Sequence, residues 1–260
     1  PVAPFLALVI IAAFAFLLSM WASALAASGR QPAPPGSFEG APSQYTQFST
    51  AELLRGFLAL SFGSDLRIGA RPRGIRRFDH PIRAAVIAGG SVDRAAAMRS
   101  VLDEYAQKVP NLRLTIVAAE PADIEVRLID ERNFTSALRM AFGAKVARTF
   151  IARTDPQCMT SVKSSANGGI LRSVSFIIVD KGDDVFFDCA YHELLHAFGL
   201  SNHDQRNPWT TLNQKRMVGY LTVYDRALLT LLYDPHIRPG MTARQARARL
   251  PGLIHDLGLA

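Results

Sequence analysis

From residue 45 onward, apolar residues recur with the spacing of amphipathic helices in some segments and with the density of buried strands in others. We expect a helix over 50–62, opened by a capping box from Ser49 to Glu52, and a second helix that takes Ser91 as its cap and runs toward Val109. The pattern predicts strands and one short helix at the following places: strands over 82–90, 112–119, 122–129 and 173–180, and the helix over NFTSALRMAFG.

The C-terminal part of the chain is predominantly helical in its pattern. A helix is predicted over about 184–198, ended by Gly199, a residue that readily takes the positive φ of a helix terminus. Segment 221–233 predicts a further helix, with Thr222 and Asp225 in the positions of a cap and an acidic first turn. MTARQARARL predicts one or two basic amphipathic turns. The order αβαββαβαα indicates an α+β domain, a mixed sheet covered by helices with the 184–198 helix packed beneath it.

The N-terminal segment differs from the rest of the chain because Pro4 to Ala27 contains no charged residue. About 20 such residues span a bilayer core, and Ala24-Leu25-Ala26 is a small-residue pattern of the kind that precedes signal-peptide cleavage. We therefore expect residues 1–27 to be a signal peptide or a retained membrane anchor. Both alternatives place the remaining chain outside the cytoplasm, in the periplasm or tethered to the inner membrane.

Residues 28–44 are rich in proline, glycine, serine and alanine, which predicts a flexible linker before a single domain over 45–260. The chain has a formal net charge of +7, and its arginines cluster in RIGARPRGIRR, residues 67–77. A basic patch of this kind is found on proteins that bind nucleic acid or anionic lipid. No aromatic interleaving or nucleic-acid motif accompanies it, so we expect a solvated surface and no nucleic-acid partner.

The chain has two cysteines, Cys158 and Cys189. A lone pair in an exported protein generally forms a disulfide, and the sequence has no CxxC spacing that would favour a metal thiolate. The bridge would tie the region of Cys158 to the start of the 184–198 helix.

Candidate chemistry lies in HELLHAFGLSNHD, residues 192–204. Positions i and i+4 share one face of a helix, so His192 and His196 can direct their imidazoles at one zinc ion. Glu193 is placed to act as the general base, taking a proton from the water that zinc activates and passing it to a leaving amine.

The third ligand is left open by the sequence. The long form of the motif places it six residues after His196, at Asn202, a neutral amide and a poor zinc ligand. His203 and Asp204 follow directly, and imidazole or carboxylate binds zinc better. Because Glu193 is the last glutamate of the chain, a downstream glutamate ligand is excluded. His203 is the favoured candidate, with Asp204 and Asn202 as alternatives.

HELLHAFGL followed by YLTVYDRALLTLLYD resembles the metzincin metallopeptidases. The resemblance implies a zincin-like fold, in which a mixed twisted sheet is packed with helices around an HExxH active-site helix. Metzincins follow the zinc motif with a methionine-bearing turn, for which Met217 or Leu212 is available here. Tyr220 lies where some members place a tyrosine beside the zinc.

A second similarity covers residues 50 to 250. FLALSFG, RRFDHPIRAAV, the cysteine pair, AFGL and LLYDPHIRPGMT resemble an uncharacterised family of proteobacterial envelope proteins, a domain of unknown function. This resemblance implies a zincin-like fold and an envelope location but names no substrate.

Together these features predict a zinc-dependent metallopeptidase that hydrolyses peptides or proteins in the cell envelope. The strand SVSFIIVD, residues 173–180, is the expected edge for an extended substrate, with the SSANGG loop before it. The alternative is a non-catalytic envelope binding module that retains the fold. Asn202 at the ligand position and the lack of a clear methionine turn favour that alternative.

Overall fold

The computed structural model describes residues 47–63, 73–118, 121–154 and 156–260. The expected N-terminal signal or anchor, the linker and most of the 67–77 arginine cluster lie outside the described residues. Within the described part of the chain, no helix is both long and apolar enough to cross a bilayer.

Seven helices and five strands make up the described fold. In chain order they are α1 (Thr50–Phe62), β1 (Ile82–Ile87), α2 (Ala95–Lys108), β2 (Leu114–Val117), β3 (Ile124–Ile129), α3 (Glu131–Phe142), α4 (Ala144–Thr154), β4 (Cys158–Ser164), β5 (Ile170–Ile178), α5 (Asp183–Phe198), α6 (Val223–Leu232) and α7 (Ala243–Asp256). The α+β class is confirmed.

The five strands form one mostly parallel sheet in the order β2-β1-β3-β5-β4. Strand β1 pairs in parallel with both β2 and β3, and β3 pairs in parallel with β5. Strand β4 is antiparallel to β5 and lies at the end of the sheet. The prediction that residues 173–180 form a substrate edge is therefore wrong: β5 is hydrogen-bonded on both sides, and the edge belongs to β4.

The two faces of the sheet are covered by different helices because side chains alternate along each strand. Ile177 of β5 belongs to the main core, which also contains the apolar residues of α1, α2, α5, α6 and α7. The neighbouring Phe176 and Ile178 belong to a second, smaller core beneath α3 and α4, formed with Phe134 and Phe150. Helix α5 therefore packs on the sheet face opposite α3 and α4.

Local signals explain where several helices begin. Ser49 accepts from the Glu52 backbone and the Glu52 side chain accepts in return, so the capping box of α1 is confirmed. Thr222 accepts from the Asp225 amide at 2.9 Å, as expected for α6. The expected cap of α2 is wrong. That helix begins at Ala95, and Ser91 instead donates its amide and hydroxyl to the Asp130 carboxylate, at 2.6 and 2.9 Å.

Helix α4 and strand β4 were not anticipated from the sequence, and α7 is a 14-residue helix where only one or two turns were expected. Strand β4, CMTSVKS, is half-buried along most of its length and shows no clean alternation of polar and apolar residues. It is held at the sheet edge by pairing with β5 and by the disulfide between Cys158 and Cys189, which is confirmed. The bridge links the first residue of β4 to α5.

Candidate metal centre

Helix α5 ends at Phe198, two residues after its second histidine, His196, and the chain turns back at Gly199. Gly199 caps the helix with φ of 122°, and a Cβ at this position would lie 2.1 Å from the carbonyl oxygen of Arg76. Only glycine combines that backbone conformation with so close an approach. The turn brings the following residues, up to His203, alongside the helix.

Three histidines converge at this turn, and we call His192, His196 and His203 the histidine cluster. The Nε2 atom of His203 lies 3.0 Å from that of His192 and 3.1 Å from that of His196, and the two helical Nε2 atoms are 3.2 Å apart. Two ligands of a tetrahedral zinc ion, each about 2.0–2.1 Å from the metal, lie about 3.3 Å apart. The spacing of the cluster is therefore close to that of a three-nitrogen zinc site.

The hydrogen bonds of the Nδ1 atoms fix the tautomers of the two helical histidines. His192 Nδ1 lies 2.9 Å from the Thr211 carbonyl oxygen, and His196 Nδ1 lies 2.6 Å from that of Leu200. Because a carbonyl only accepts, both Nδ1 atoms carry the proton and both Nε2 atoms present lone pairs. A proton on Nε2 of His203 could form a hydrogen bond with only one of those lone pairs, whereas a cation can be coordinated by all three nitrogens at once. The donor set thus fits a metal ion.

Burial keeps the three rings neutral. Desolvation is the largest cause that lowers the pKa of His192 to about 3, of His196 to about 4 and of His203 to about 2. The mutual proximity of the rings adds to the effect at His192 and His203. Neutral imidazole is the form that binds metal, so the cluster is ready to act as a ligand at neutral pH without losing protons.

A buried carboxylate, Asp225, holds the segment that contacts His192. Asp225, with no exposed surface, accepts from the Thr211 amide at 2.9 Å and from the Thr211 hydroxyl at 3.1 Å. It also accepts from the Thr210 hydroxyl at 2.5 Å. The position of Asp225 in the first turn of α6 was expected, but its contact with residues 210–211 was not. Asp225 therefore fixes the segment whose carbonyl orients His192.

Glu193 lies next to the first histidine on α5 and is only 4% exposed. Its Oε2 atom has no hydrogen-bond partner among the described residues. Burial, with a contribution from the charge of Asp188, raises the pKa of Glu193 to about 8. A buried carboxyl oxygen without a partner, on the residue that follows His192, is a second feature that a positively charged occupant would stabilise.

Asp188 lies one turn before His192 on the same helix and accepts from the Val218 amide at 2.5 Å. Burial raises the pKa of Asp188 to about 6, and the hydrogen bond from Val218 opposes that rise. Asp188 ties α5 to the loop before α6, a contact that no local sequence pattern signals.

The two alternative third ligands have other contacts. Asn202 donates its side-chain amide to the Ala59 carbonyl at 3.1 Å, at the end of α1, while its Oδ1 is buried without a partner among the described residues. Asp204 accepts from the Arg206 amide through Oδ1 at 3.2 Å. In the part of the chain that the structure describes, the only histidine, cysteine and carboxylate side chains grouped closely enough to hold a metal ion are His192, His196 and His203.

The residues suggested for the methionine turn lie in different surroundings. Met217 is 44% exposed, whereas Leu212 is fully buried and follows Thr211, the residue that anchors His192. Leu212 is thus packed in the main core next to the residue that holds His192, and Met217 is not. Tyr220 is half-buried against the main core, and burial raises the pKa of its hydroxyl.

Fold and site together define an α+β domain with a three-histidine cluster at the end of a sheet-packed helix. The chain belongs to the family described as "Protein of unknown function (DUF2927)", whose model matches residues 50–252. The extent of this match agrees with the resemblance to an uncharacterised family over residues 50 to 250. No curated protein and no solved structure matches the chain.

Proposed function

We propose that the protein is a zinc-dependent metallopeptidase that acts outside the cytoplasm. The observation that carries the proposal is the convergence of three Nε2 atoms within 3.0–3.2 Å of one another. All-imidazole sites suit zinc, and three protein ligands leave a coordination position for substrate or water. The sheet with α5 packed beneath it, and the Gly199 turn that delivers His203, support a zincin-like, metzincin-type assignment.

In this proposal His192, His196 and His203 hold the metal. When bound, zinc supplies Lewis-acid polarisation of the scissile carbonyl and lowers the pKa of a coordinated water molecule. Thr211 and Leu200, through their carbonyl oxygens, keep the two helical imidazoles in the tautomer that ligation requires. Asp225 holds the Thr211 segment rigid.

Glu193 is the proposed general base. Its raised pKa of about 8 belongs to a buried carboxyl group without a nearby positive charge. A cation in the histidine cluster lowers that pKa, because an opposite charge favours the ionised form. The carboxylate then accepts a proton during attack on the peptide bond and returns it to the leaving amine.

The edge strand β4 is the proposed platform for substrate. No strand among the described residues pairs with its outer side, and an extended peptide can add there through main-chain hydrogen bonds. The strand contacts helix α5 directly: the Thr160 hydroxyl donates to the Glu193 carbonyl at 3.1 Å, and Cys158 is bonded to Cys189. Substrate on β4 would thus lie beside the histidine cluster.

An extracytoplasmic location is part of the proposal. The uncharged segment from Pro4 to Ala27 supports export or membrane anchoring. The Cys158–Cys189 disulfide supports an oxidising compartment, because such bonds are rare in reducing ones.

The test compares Glu193→Gln with Glu131→Gln, an exposed glutamate on α3, in the purified full chain. Zinc content and cleavage of an unstructured protein substrate are measured for each variant. We expect close to one zinc per chain in all three proteins and loss of cleavage only in Glu193→Gln. Absence of zinc from the wild-type protein, or full cleavage by Glu193→Gln, would falsify the proposal.

The second candidate is a non-catalytic envelope module with the same fold. The deep burial of Glu193, at 4% exposure, favours it because a general base must reach its substrate. In that case Glu193→Gln leaves the biological role intact, whereas replacing both cysteines abolishes it. Measuring both variants in one assay of envelope function separates the two candidates.

A further inference from the structure

A groove of about 850 Å³ lies on the sheet face opposite helix α5. Its floor includes Val174 and Phe176 of β5, which point away from α5, and its wall is formed by α3 residues such as Ala137 and Met140. Its volume falls in the range of sites that enclose small organic molecules. The groove is therefore separate from the histidine cluster.

The groove extends to a topological switch point of the sheet. It reaches the carboxyl ends of β1 and β3, at Ile87 and Ile129, two neighbouring parallel strands. The helix after β1, α2, packs with α5 in the main core, whereas the helix after β3, α3, covers the other face. Parallel strands whose following helices diverge in this way leave a crevice at their carboxyl ends, where α/β sheets bind ligands.

The polar side of the groove is basic. Arg127, Lys163 and Arg172 line it, one from each of three adjacent strands. The two arginines contact one acid, Glu125: Arg127 donates to its Oε2 at 2.7 Å, and Arg172 donates to its Oε1. Three cations and one carboxylate leave a formal excess of two positive charges, so the charge of the groove is complementary to an anion.

The remaining lining is apolar and adaptable. Met140 is 83% exposed, and its flexible thioether is suited to fitting an irregular ligand. Phe142 packs edge-on against Phe176 with ring centroids 5.8 Å apart, which gives the groove a firm aromatic end. Apolar and basic surfaces thus meet within one cavity.

We propose that this groove binds a single-chain carboxylic acid of the fatty-acid class. The carboxylate lies against Lys163 and Arg172, whose side chains are exposed, and the apolar chain lies between the sheet and α3. Arg172 uses Nη2 for its hydrogen bond to Glu125, and its other guanidinium N–H groups can donate to the carboxylate of the ligand. The site is independent of the proposed peptidase activity.

The first test is calorimetric titration of the purified full chain with decanoate, 1-decanol and acetate. We expect one saturable site for decanoate with a Kd below about 100 μM, and binding at least about tenfold weaker for the two partial ligands. Equal binding of acetate would refute the apolar part, and equal binding of decanol would refute the ionic part.

The second test uses matched variants. Lys163→Ala should weaken decanoate binding about tenfold, and Ala141→Trp, at an exposed position of the wall, should abolish it. Lys145→Ala and Ala96→Trp, outside the groove, should leave the Kd unchanged. Zinc content serves as a separate readout and should be the same in all four. If decanoate binds all variants equally, or binds none including the wild type, the groove is not its site.

Discussion

His192 and Thr211 are 19 residues apart in sequence, yet the ring Nδ1 of the first lies 2.9 Å from the carbonyl oxygen of the second. The contact assigns the proton to Nδ1 and the lone pair to Nε2, the atom that faces the other two histidines. A loop with no regular secondary structure therefore sets the chemical state of a helical residue. The loop itself is held by Asp225, buried in the first turn of α6.

Asp225→Asn should weaken zinc binding by about 10- to 100-fold, the usual effect of losing a partner behind a metal ligand. The neutral side chain of asparagine accepts hydrogen bonds from the backbone N–H and the hydroxyl of Thr211 less strongly than the carboxylate does. Competition with a chelator of known affinity measures the change. Asp234→Asn is the control, because Asp234 is also buried but contacts His236. Unaltered zinc affinity in Asp225→Asn would show that the loop does not orient His192.

The third ligand can be assigned by comparing neighbouring residues. His203→Ala should reduce zinc affinity by at least about 100-fold because it removes a ligand, more than the loss of a supporting residue. Asn202→Ala should keep zinc and lose about 1 kcal/mol of unfolding free energy, since it removes a hydrogen bond to α1. Metal analysis and chemical denaturation of both variants are the measurements. The reverse pattern would assign ligation to Asn202.

Asp188 should make stability depend on pH in a defined direction. Its folded pKa of about 6 lies above the ordinary 3.8, so the ionised form is disfavoured in the fold. The contribution of Asp188 to the free energy of unfolding is therefore largest below about pH 3.8, where the group is protonated in both the folded and the unfolded chain. That contribution is lost as the pH rises through 6. Asp188→Asn keeps an acceptor for Val218 and should therefore gain up to about 3 kcal/mol over the wild type above pH 6.

Urea denaturation of the metal-free proteins between pH 4 and 8 measures the Asp188 effect. Asp184→Asn, on the exposed first turn of the same helix, should change stability by no more than about 0.5 kcal/mol. A constant difference between Asp188→Asn and the wild type across this range would contradict the assigned pKa.

Replacing both cysteines with alanine should lower the free energy of unfolding by about 3–4 kcal/mol. The bridge spans a sequence separation of 31, and that loss follows from the loop entropy it removes from the unfolded chain. Thermal unfolding with and without reductant is the measurement. The double variant should be insensitive to reductant, whereas the wild type should approach the variant when reduced. Equal stability of the oxidised wild type and the variant would rule out a stabilising role.

Sequence patterns succeeded where the determinants were local. The caps of α1 and α6 and the glycine end of α5 each depend on residues within one turn of the helix terminus. The two helical histidines belong to the same class, because their spacing alone places them on one face. These features were predictable to within a residue or two.

The remaining features depend on contacts between distant segments. Strand β4 has no alternating pattern and exists because β5 and Cys189 hold it. The local sequence predicts Ser91 as a helix cap, but its amide and hydroxyl donate instead to the carboxylate of Asp130, on another segment. The contact between His192 and Thr211 is also one between distant segments, and no sequence pattern in residues 205–215 predicts it.

The covalent link between Cys158 and Cys189 joins the strand proposed to receive substrate to the helix that carries two of the histidines. If the proposed function is right, a newly made chain in a reducing compartment lacks this covalent link between β4 and α5. On that proposal, oxidation after export would couple completion of the site to arrival outside the cytoplasm, and would protect the proteins of the producing cell from premature hydrolysis.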